Sequence, residues 1–150
     1  MKQIKAIPKL VFDKYFTDKE FKYYDYACFI SILDVDNNEQ KFDKSIDNFL
    51  QVKMWDIEED LFENGELKYE KPNDNELKKI VDFINKHKDK SVFMIHCSAG
   101  ISRSGAVATF LYDKFLSEID KEQFRRENKH IRPNLYILNR LKSLDTVALE

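Results

Sequence analysis

Residues 92–116 read VFMIHCSAGISRSGAVATFLYDKFL. The first part of this stretch is an apolar run, the middle is rich in serine, glycine and alanine, and the last part is again mostly apolar. That order predicts a buried strand, a tight loop and a buried helix. The chain contains only three glycines, and two of them, Gly100 and Gly105, lie in this loop. We therefore expect the backbone to turn sharply here, or to approach another segment closely.

The loop brings a cysteine and an arginine to the N-terminus of the predicted helix. Backbone N–H groups converge where a loop leads into a helix, and the helix dipole adds partial positive charge, so such a loop binds anions. Five residues separate Cys97 from Arg103, which is enough to wrap around one phosphate group, and the guanidinium of Arg103 can bind two phosphate oxygens. The same donors favour the thiolate form of Cys97. The pattern predicts a nucleophilic thiolate inside an oxyanion-binding loop.

The Cys97-x5-Arg103 pattern, preceded by His96 and followed by Ser104, resembles the signature of the cysteine-based protein tyrosine phosphatases. The amino-acid sequence of residues 98–104 is most similar to that of the dual-specificity branch. The resemblance implies a mostly parallel sheet with a helical cluster on one side, and a phosphatase activity. It also implies that the loop binds the substrate phosphate, through Ser98, Ala99, Gly100, Ile101, Ser102 and Arg103.

The whole chain has the size and composition of one globular domain, residues 1–150. Hydrophobic residues make up 43% of it, and a formal charge of −2 favours neither nucleic acid nor a membrane surface as a partner. No apolar run has the length of a transmembrane helix, and the N-terminus lacks the apolar stretch of a signal peptide. With only Cys28 and Cys97 present, we expect no disulfide framework and a cytoplasmic location. The oligomeric state stays open, with a monomer favoured.

Alternating strand and helix patterns predict an α/β fold, with a mostly parallel central sheet of about four to five strands flanked by helices. The second predicted strand contains Cys28, which we interpret as a core residue. Asn73, with Glu76 three residues later, predicts a helix that begins with a capping box. The predicted strands cover residues 1–7, 27–33, 49–55 and 92–96, and the predicted helices cover residues 9–16, 104–116 and 120–128, with two more that begin after Asn73 and at Pro133.

Residues 56–72 form a polar, acidic connection without clear periodicity, in which Leu61 and Phe62 could anchor a helical turn. The family resemblance implies that a general acid, an aspartate on a loop after a strand, lies in this part of the chain. Asp56 follows the third predicted strand directly and is our assignment, with Asp60 as the alternative. The separation from Asp56 to Cys97 is longer than is usual in the family, which indicates an insertion around residues 64–75.

The chemistry that the resemblance implies has two steps. The Cys97 thiolate attacks phosphorus while Asp56 protonates the leaving oxygen. Asp56 then acts as the base that activates water against the phosphocysteine, and Ser104 donates a hydrogen bond to the departing thiolate. His96 is expected to orient the loop by a hydrogen bond, or to be a purely structural buried histidine. The stretch Arg132-Pro133-Asn134 is expected to support the site.

We expect no metal ion or other cofactor, because Arg103 and the loop amides already neutralise the phosphate oxygens. His87 and His130 do not form a metal-ligand set with Cys28, and both are expected at the surface.

The substrate that the resemblance implies is a phosphorylated protein or peptide. Residues 98–102 carry no charge, whereas family members that act on inositol phosphates tend to have Lys or Arg there. The short chain leaves no obvious room for the segment that deepens the pocket of tyrosine-specific enzymes, so phosphoserine and phosphothreonine are expected substrates beside phosphotyrosine. Two alternatives stay open. One is a phosphate-binding module with little or no turnover, and the other is a different cysteine-oxyanion enzyme, an arsenate reductase or a sulfurtransferase.

Overall fold

A computed structural model of the protein describes residues 1–15, 24–38 and 46–146. Its centre is a four-stranded sheet in the order β1-β6-β2-β3, in which all neighbouring strands are parallel. The four strands are β1 (Gln3–Pro8), β2 (Ala27–Leu33), β3 (Phe49–Lys53) and β6 (Val92–Cys97). This sheet confirms the predicted fold class. Because parallel strands end at the same edge of a sheet, the segments that follow β2, β3 and β6 come together there.

The two inner strands are the most apolar parts of the sheet. All seven residues of β2 are buried, and β6 is buried through its last three residues. Short apolar runs that lack alternation are typical of strands that are covered on both faces. Both β2 and β6 are formed by such runs. The predicted bounds of β2 are the observed ones. Strand β1 ends at Pro8, at the edge of the sheet, where a missing N–H costs no ladder hydrogen bond.

Helices cover both faces of the sheet unequally. The larger core lies on the face covered by α2 (Asp74–Lys86), α3 (Arg103–Lys114) and α5 (Leu135–Leu144), with a contribution from α4 (Lys121–Glu127). On the opposite face, Phe12 of α1 (Lys9–Tyr15) packs against Ala27 and Phe29 of β2. A short 3-10 helix, Leu116–Glu118, follows α3. The predicted end of α1 at Phe16 and the aromatic residue Tyr23 lie outside the described residues.

No helix within residues 1–15, 24–38 and 46–146 is both long enough and apolar enough to cross a membrane.

The connection after β3 forms a β-hairpin, so the helical turn considered at Leu61 and Phe62 is wrong. Strands β4 (Leu61–Glu63) and β5 (Glu66–Tyr69) pair antiparallel as a separate two-stranded sheet. They are joined by Asn64 and Gly65, whose φ angles are 55° and 80°. Asn-Gly is the pair that tight hairpin turns favour, because both residues tolerate positive φ. The Asn64-Gly65 pair was the local signal for this turn, and Leu67 and Tyr69 alternate with polar residues after it.

Two predicted helix starts need correction in detail. Asn73 caps α2 by accepting a hydrogen bond from the N–H of Glu76 at 3.0 Å, as predicted. The carboxylate of Glu76, however, accepts from the N–H of Lys53 at 3.1 Å, so the prediction of a reciprocal capping box is not met. Helix α5 begins at Leu135 with Asn134 as its N-cap, so Pro133 precedes the cap and is not the first helical residue.

Candidate active site

The loop of residues 98–102 joins the end of β6 to the start of α3. Gly100 has a φ of 73°, and a Cβ at this position would lie 2.4 Å from backbone atoms of Ile7 and Pro8. Both the conformation and the close approach to the end of β1 require glycine. Gly105 is also tightly packed, since a Cβ there would lie 3.0 Å from the Cβ of Ile131. Both glycines therefore allow the close approach of another segment that their position in the sequence predicted, although Gly105 lies in the first turn of α3 and not in the loop.

The carbonyl groups of the loop are held by segments outside it. Their oxygens accept backbone hydrogen bonds as follows: Ser98 from Lys9 at 3.2 Å, Ile101 from Arg132 at 3.0 Å, and Ser102 from Ala106 at 2.9 Å and from Asn134 at 3.1 Å. The C=O and N–H of one trans peptide unit point in opposite directions. The N–H groups of Ala99, Ser102 and Arg103 therefore point away from these outer segments, in the orientation that an anion-binding loop needs.

Cys97 lies at the start of the loop, buried at the end of β6. Its Sγ is 3.2 Å from the Oγ of Ser104 and 3.5 Å from the backbone N of Ser104. Ser104 is itself fully buried in the first turn of α3. The hydroxyl and the N–H of one residue thus both approach the sulfur, and both are able to stabilise a thiolate.

Arg103 is almost completely buried and is held on one side of its guanidinium group. Its Nη1 donates to Asp34 Oδ1 at 2.7 Å and to the carbonyl oxygen of Met54 at 2.7 Å. Its Nη2 donates to the Oγ of Ser98 at 3.1 Å, while Nε is buried and has no partner among the described residues. Asp34 was not among the predicted site residues. Its position directly after β2, at the edge where the loop lies, was the available signal.

Asp56, the predicted acid, lies between β3 and β4 in residues 54–60, the acid-bearing segment, and contacts the loop from there. Its Oδ1 accepts from the Oγ of Ser102 at 2.7 Å and from Nδ2 of Asn134 at 3.0 Å. Asp60, the alternative, has a different place: its Oδ1 accepts from the N–H of Lys71 at 2.9 Å and closes the base of the hairpin. The structure therefore brings Asp56, and not Asp60, into contact with the Cys97 loop.

Asn134 joins three parts of the site. Its Nδ2 also donates to the carbonyl oxygen of Ile57 at 3.1 Å, its Oδ1 accepts from the N–H of Ile137 at 3.0 Å, and its own N–H binds Ser102. The helix α5, the acid-bearing segment and the loop are fixed to one another through this residue. Arg132 contacts the loop through its backbone N–H alone, which donates to Ile101. Its exposed side chain donates to the carbonyl groups of Lys129 and Ile131 instead.

His96 is buried on the α1 face of the sheet, where its ring lies 4.2 Å from that of Phe12. Burial lowers its pKa to about 4, and the opposing effect of the Asp13 charge is smaller. The ring is therefore neutral near pH 7. Its Nδ1 has no hydrogen-bond partner among the described residues. The orienting role of His96 stays a prediction.

The other two histidines lie just after the ends of α4 and α2. His130 is exposed, as predicted, and its Nε2 is 2.9 Å from the carbonyl oxygen of Ala6. His87 was predicted at the surface and is buried instead, because it ends α2 with its ring 4.6 Å from that of Phe83. Burial lowers the pKa of His87.

Cys28 is a core residue, as predicted, and burial raises the pKa of its thiol. In the sheet it lies opposite Phe93, four residues before Cys97 on the neighbouring strand. At about 3.3 Å per residue the two cysteines are separated by roughly 13 Å along the strands. A disulfide requires Cα atoms within about 7 Å, so Cys28 cannot reach Cys97 without rearrangement of the sheet.

Comparison with solved structures supports the same fold. Human DUSP28 matches with a TM-score of 0.56 and 11% identity, over 95% of this chain and 90% of that one. PTPMT1 in complex with PI(5)P matches with a TM-score of 0.53 and 15% identity, over 95% and 90%. The PTP-2 phosphatase of Cydia pomonella matches with a TM-score of 0.51 and 16% identity, over 95% and 86%. These low identities establish the fold alone. No curated protein sequence matches the chain significantly.

The model of the protein-tyrosine phosphatase family matches residues 7–133 of the chain. The matched range contains β2, β3, β6, the acid-bearing segment and the complete Cys-x5-Arg loop. The chain belongs to the protein-tyrosine phosphatase family.

Proposed function

We propose that the protein is a metal-independent phosphomonoester hydrolase that acts on phosphotyrosine, phosphoserine and phosphothreonine in proteins. The observation that carries this proposal is the 2.7 Å hydrogen bond between Asp56 Oδ1 and Ser102 Oγ. It joins a carboxyl group of the acid-bearing segment to the loop that follows Cys97. A nucleophile, an oxyanion-binding loop and an acid are the three groups that a cysteine phosphatase needs.

Phosphate binding is assigned to the loop amides and to one edge of Arg103. Nη1 is occupied by Asp34 and Met54, whereas Nε is without a partner among the described residues and Nη2 has a second hydrogen to donate. Nε and Nη2 form the side edge of the guanidinium group, which can bind two oxygens of one phosphate. These charges and N–H groups neutralise the equatorial oxygens without a metal ion.

The first chemical step transfers the phosphoryl group to sulfur. The Cys97 thiolate forms an S–P bond as the P–O bond to the leaving group breaks, and protonated Asp56 gives its proton to the leaving oxygen. In the second step Asp56, now a carboxylate, removes a proton from water as the water oxygen attacks phosphorus. The S–P bond breaks, and the hydroxyl of Ser104, which is 3.2 Å from the sulfur, stabilises the departing thiolate.

Protein substrates are favoured over inositol lipids by the composition of the loop. Residues 98–102 contain no lysine or arginine that would bind further phosphate groups. PTPMT1, which shares the fold, has been crystallised with PI(5)P. Without cations inside the loop of the present chain, one phosphate is the charge that the loop can neutralise.

The alternative functions have less support. A phosphate-binding module without turnover would lack a working acid, whereas Asp56 contacts the loop here. An arsenate reductase needs a resolving cysteine, and the separation of Cys28 from Cys97 argues against that role.

The decisive experiment measures hydrolysis of two aryl phosphates in the presence of a chelator. Phenyl phosphate has a poor leaving group that needs protonation, and 4-nitrophenyl phosphate has a good one. Cys97→Ser should be inactive. Asp56→Asn should lower kcat for phenyl phosphate roughly 10²-fold or more, with a smaller effect on 4-nitrophenyl phosphate, because general acid catalysis matters most for poor leaving groups. The alkaline fall of kcat/KM should also flatten, since the acid must be protonated to act.

Asp60→Asn is the matched control and should retain activity. If Asp60→Asn is as slow as Asp56→Asn, or Asp56→Asn is fully active, the acid has been wrongly assigned. If the wild type binds vanadate but hydrolyses neither ester, the protein is a binding module and the proposed function is wrong.

A further inference from the structure

We propose that the hairpin β4-β5 is a docking surface that selects phosphoprotein segments with apolar and basic residues beside the phosphorylated residue. This inference rests on the proposed function and names its substrate class.

The hairpin has a fixed position next to the acid-bearing segment. It begins five residues after Asp56, and its base is closed by the hydrogen bond from Lys71 to Asp60. The ring of Tyr69 packs edge-on against Trp55, with 5.0 Å between ring centroids, which attaches β5 to the end of β3. A substrate bound at the Cys97 loop would therefore meet this hairpin with the residues on one side of its phosphorylated position.

The hairpin presents apolar side chains to solvent. Phe62 is 65% exposed and Leu67 is 50% exposed, and these two residues lie directly opposite each other in the antiparallel pair. Cross-strand neighbours share one face of a sheet, so they form a single apolar surface. Leu135, whose N–H donates to Glu58 of the acid-bearing segment at 3.0 Å, is also exposed, at 58%. Clustered exposed apolar residues beside a reactive site indicate a binding surface.

The charge around this surface indicates the kind of partner. Between residues 58 and 70 there is one basic side chain, Lys68, and six acidic ones: Glu58, Glu59, Asp60, Glu63, Glu66 and Glu70. Lys68 is already paired with Glu63. The exposed carboxylates of Glu59, Glu66 and Glu70 have no cationic partner among the described residues. These three carboxylates form an acidic rim beside the apolar surface. A polypeptide with lysine or arginine near its phosphorylated residue complements this rim.

The same charges argue against other occupants. A second copy of the hairpin would bring two acidic rims together, and a membrane rich in anionic lipids would be repelled. A basic, partly apolar peptide satisfies both the carboxylates and the exposed Phe62 and Leu67.

The test compares two phosphotyrosine peptides that differ only beside the phosphorylated residue. One carries leucine and lysine there, and the other carries serine and glutamate at the same positions. For the wild type, kcat/KM should be roughly tenfold or more higher for the leucine-lysine peptide, with 4-nitrophenyl phosphate as the reference substrate. Phe62→Ser and Leu67→Ser should remove most of this preference while the reference activity is unchanged. Glu66→Lys should lower kcat/KM for the basic peptide and raise it for the acidic one.

Leu116→Ser is the matched control, because Leu116 is an exposed leucine on the 3-10 helix after α3 and should have no effect on any substrate. Equal hydrolysis of the two peptides by an active wild type would overturn the docking proposal and leave the proposed function intact. The docking proposal would also be wrong if Phe62→Ser slowed the reference substrate as much as the basic peptide. Failure of the wild type to hydrolyse 4-nitrophenyl phosphate would instead overturn the proposed function, and the docking proposal with it.

Discussion

Asp34 Oδ1 accepts a hydrogen bond from Nη1 of Arg103 at 2.7 Å, across 69 positions of sequence. Asp34 follows strand β2, and Arg103 begins the helix that follows the neighbouring strand β6. The carboxylate and the carbonyl oxygen of Met54 together fix one end of the guanidinium group. The edge formed by Nε and Nη2 is thereby oriented without any contact from the loop backbone. In the proposed mechanism Asp34 is a positioning residue for phosphate binding.

Asp34→Asn should weaken phosphate binding without changing the fold. The amide can still contact Arg103, but it removes the charge that holds Nη1, while Met54 and Ser98 keep their contacts. We expect kcat/KM for an aryl phosphate to fall about tenfold, which corresponds to about 1.4 kcal/mol of transition-state stabilisation. Steady-state kinetics and the inhibition constant of vanadate measure this effect.

Asp36→Asn is the control for that change, because Asp36 lies in the same turn and is exposed. If both variants lose activity equally, the effect is a general one of the turn and not of the contact with Arg103.

The two positive-φ glycines predict contrasting results on substitution by alanine. At Gly100 a Cβ would overlap the backbone of Ile7 and Pro8, in addition to the cost of the left-handed conformation. Gly100→Ala should lower the free energy of unfolding by at least about 2 kcal/mol and abolish activity, because the loop cannot close against β1. Gly65 has a similar φ but open space around it, so Gly65→Ala should cost only about 1 kcal/mol.

Urea denaturation and aryl phosphate hydrolysis of the two variants check this pair. A Gly100→Ala protein with normal activity would contradict the observed packing of the loop against β1.

The sequence predicted the parts of the structure that rest on local patterns. Strand β2 is a nearly continuous apolar run, and the cysteine, the arginine and two glycines lie within ten residues at the junction of β6, the loop and α3. The position of Asp34 after β2 places it at the same edge of the sheet as the loop, but the bond to Arg103 could not be predicted, because neither segment indicates that β2 and β6 are neighbours. The burial of His87 likewise depends on how the end of α2 packs, which a polar, lysine-rich neighbourhood conceals.

Asn134 should affect both stability and chemistry, and two substitutions separate these roles. Asn134→Ala removes the N-cap of α5 and the donor to Asp56 and Ile57, whereas Asn134→Ser keeps a capping oxygen and removes only the donor. Both variants should lower kcat for phenyl phosphate roughly tenfold, because the acid is less well held. The alanine variant should lose about 1 kcal/mol more stability than the serine variant, the usual contribution of a cap.

Denaturant unfolding and steady-state kinetics on the two Asn134 proteins test this separation. Unchanged kcat in both would show that Asn134 has no role in positioning Asp56.

His96 should make stability depend on pH between neutrality and about pH 4. Burial lowers its pKa to about 4 in the folded protein, against about 6.5 in an unfolded chain. The unfolded state therefore binds a proton more readily, so the stabilisation is fully present above about pH 6.5 and is lost as the pH falls towards 4. Between pH 7 and pH 5 the loss should be roughly 2 kcal/mol.

We expect His96→Asn, which cannot titrate, to be less stable than the wild type at pH 7 and to approach it as the pH falls. His87, whose pKa burial also lowers, is present in both proteins and cancels in the comparison. Urea unfolding at pH 7, 6 and 5 gives the two stability curves, and a constant difference between them would mean that His96 is not held neutral by burial.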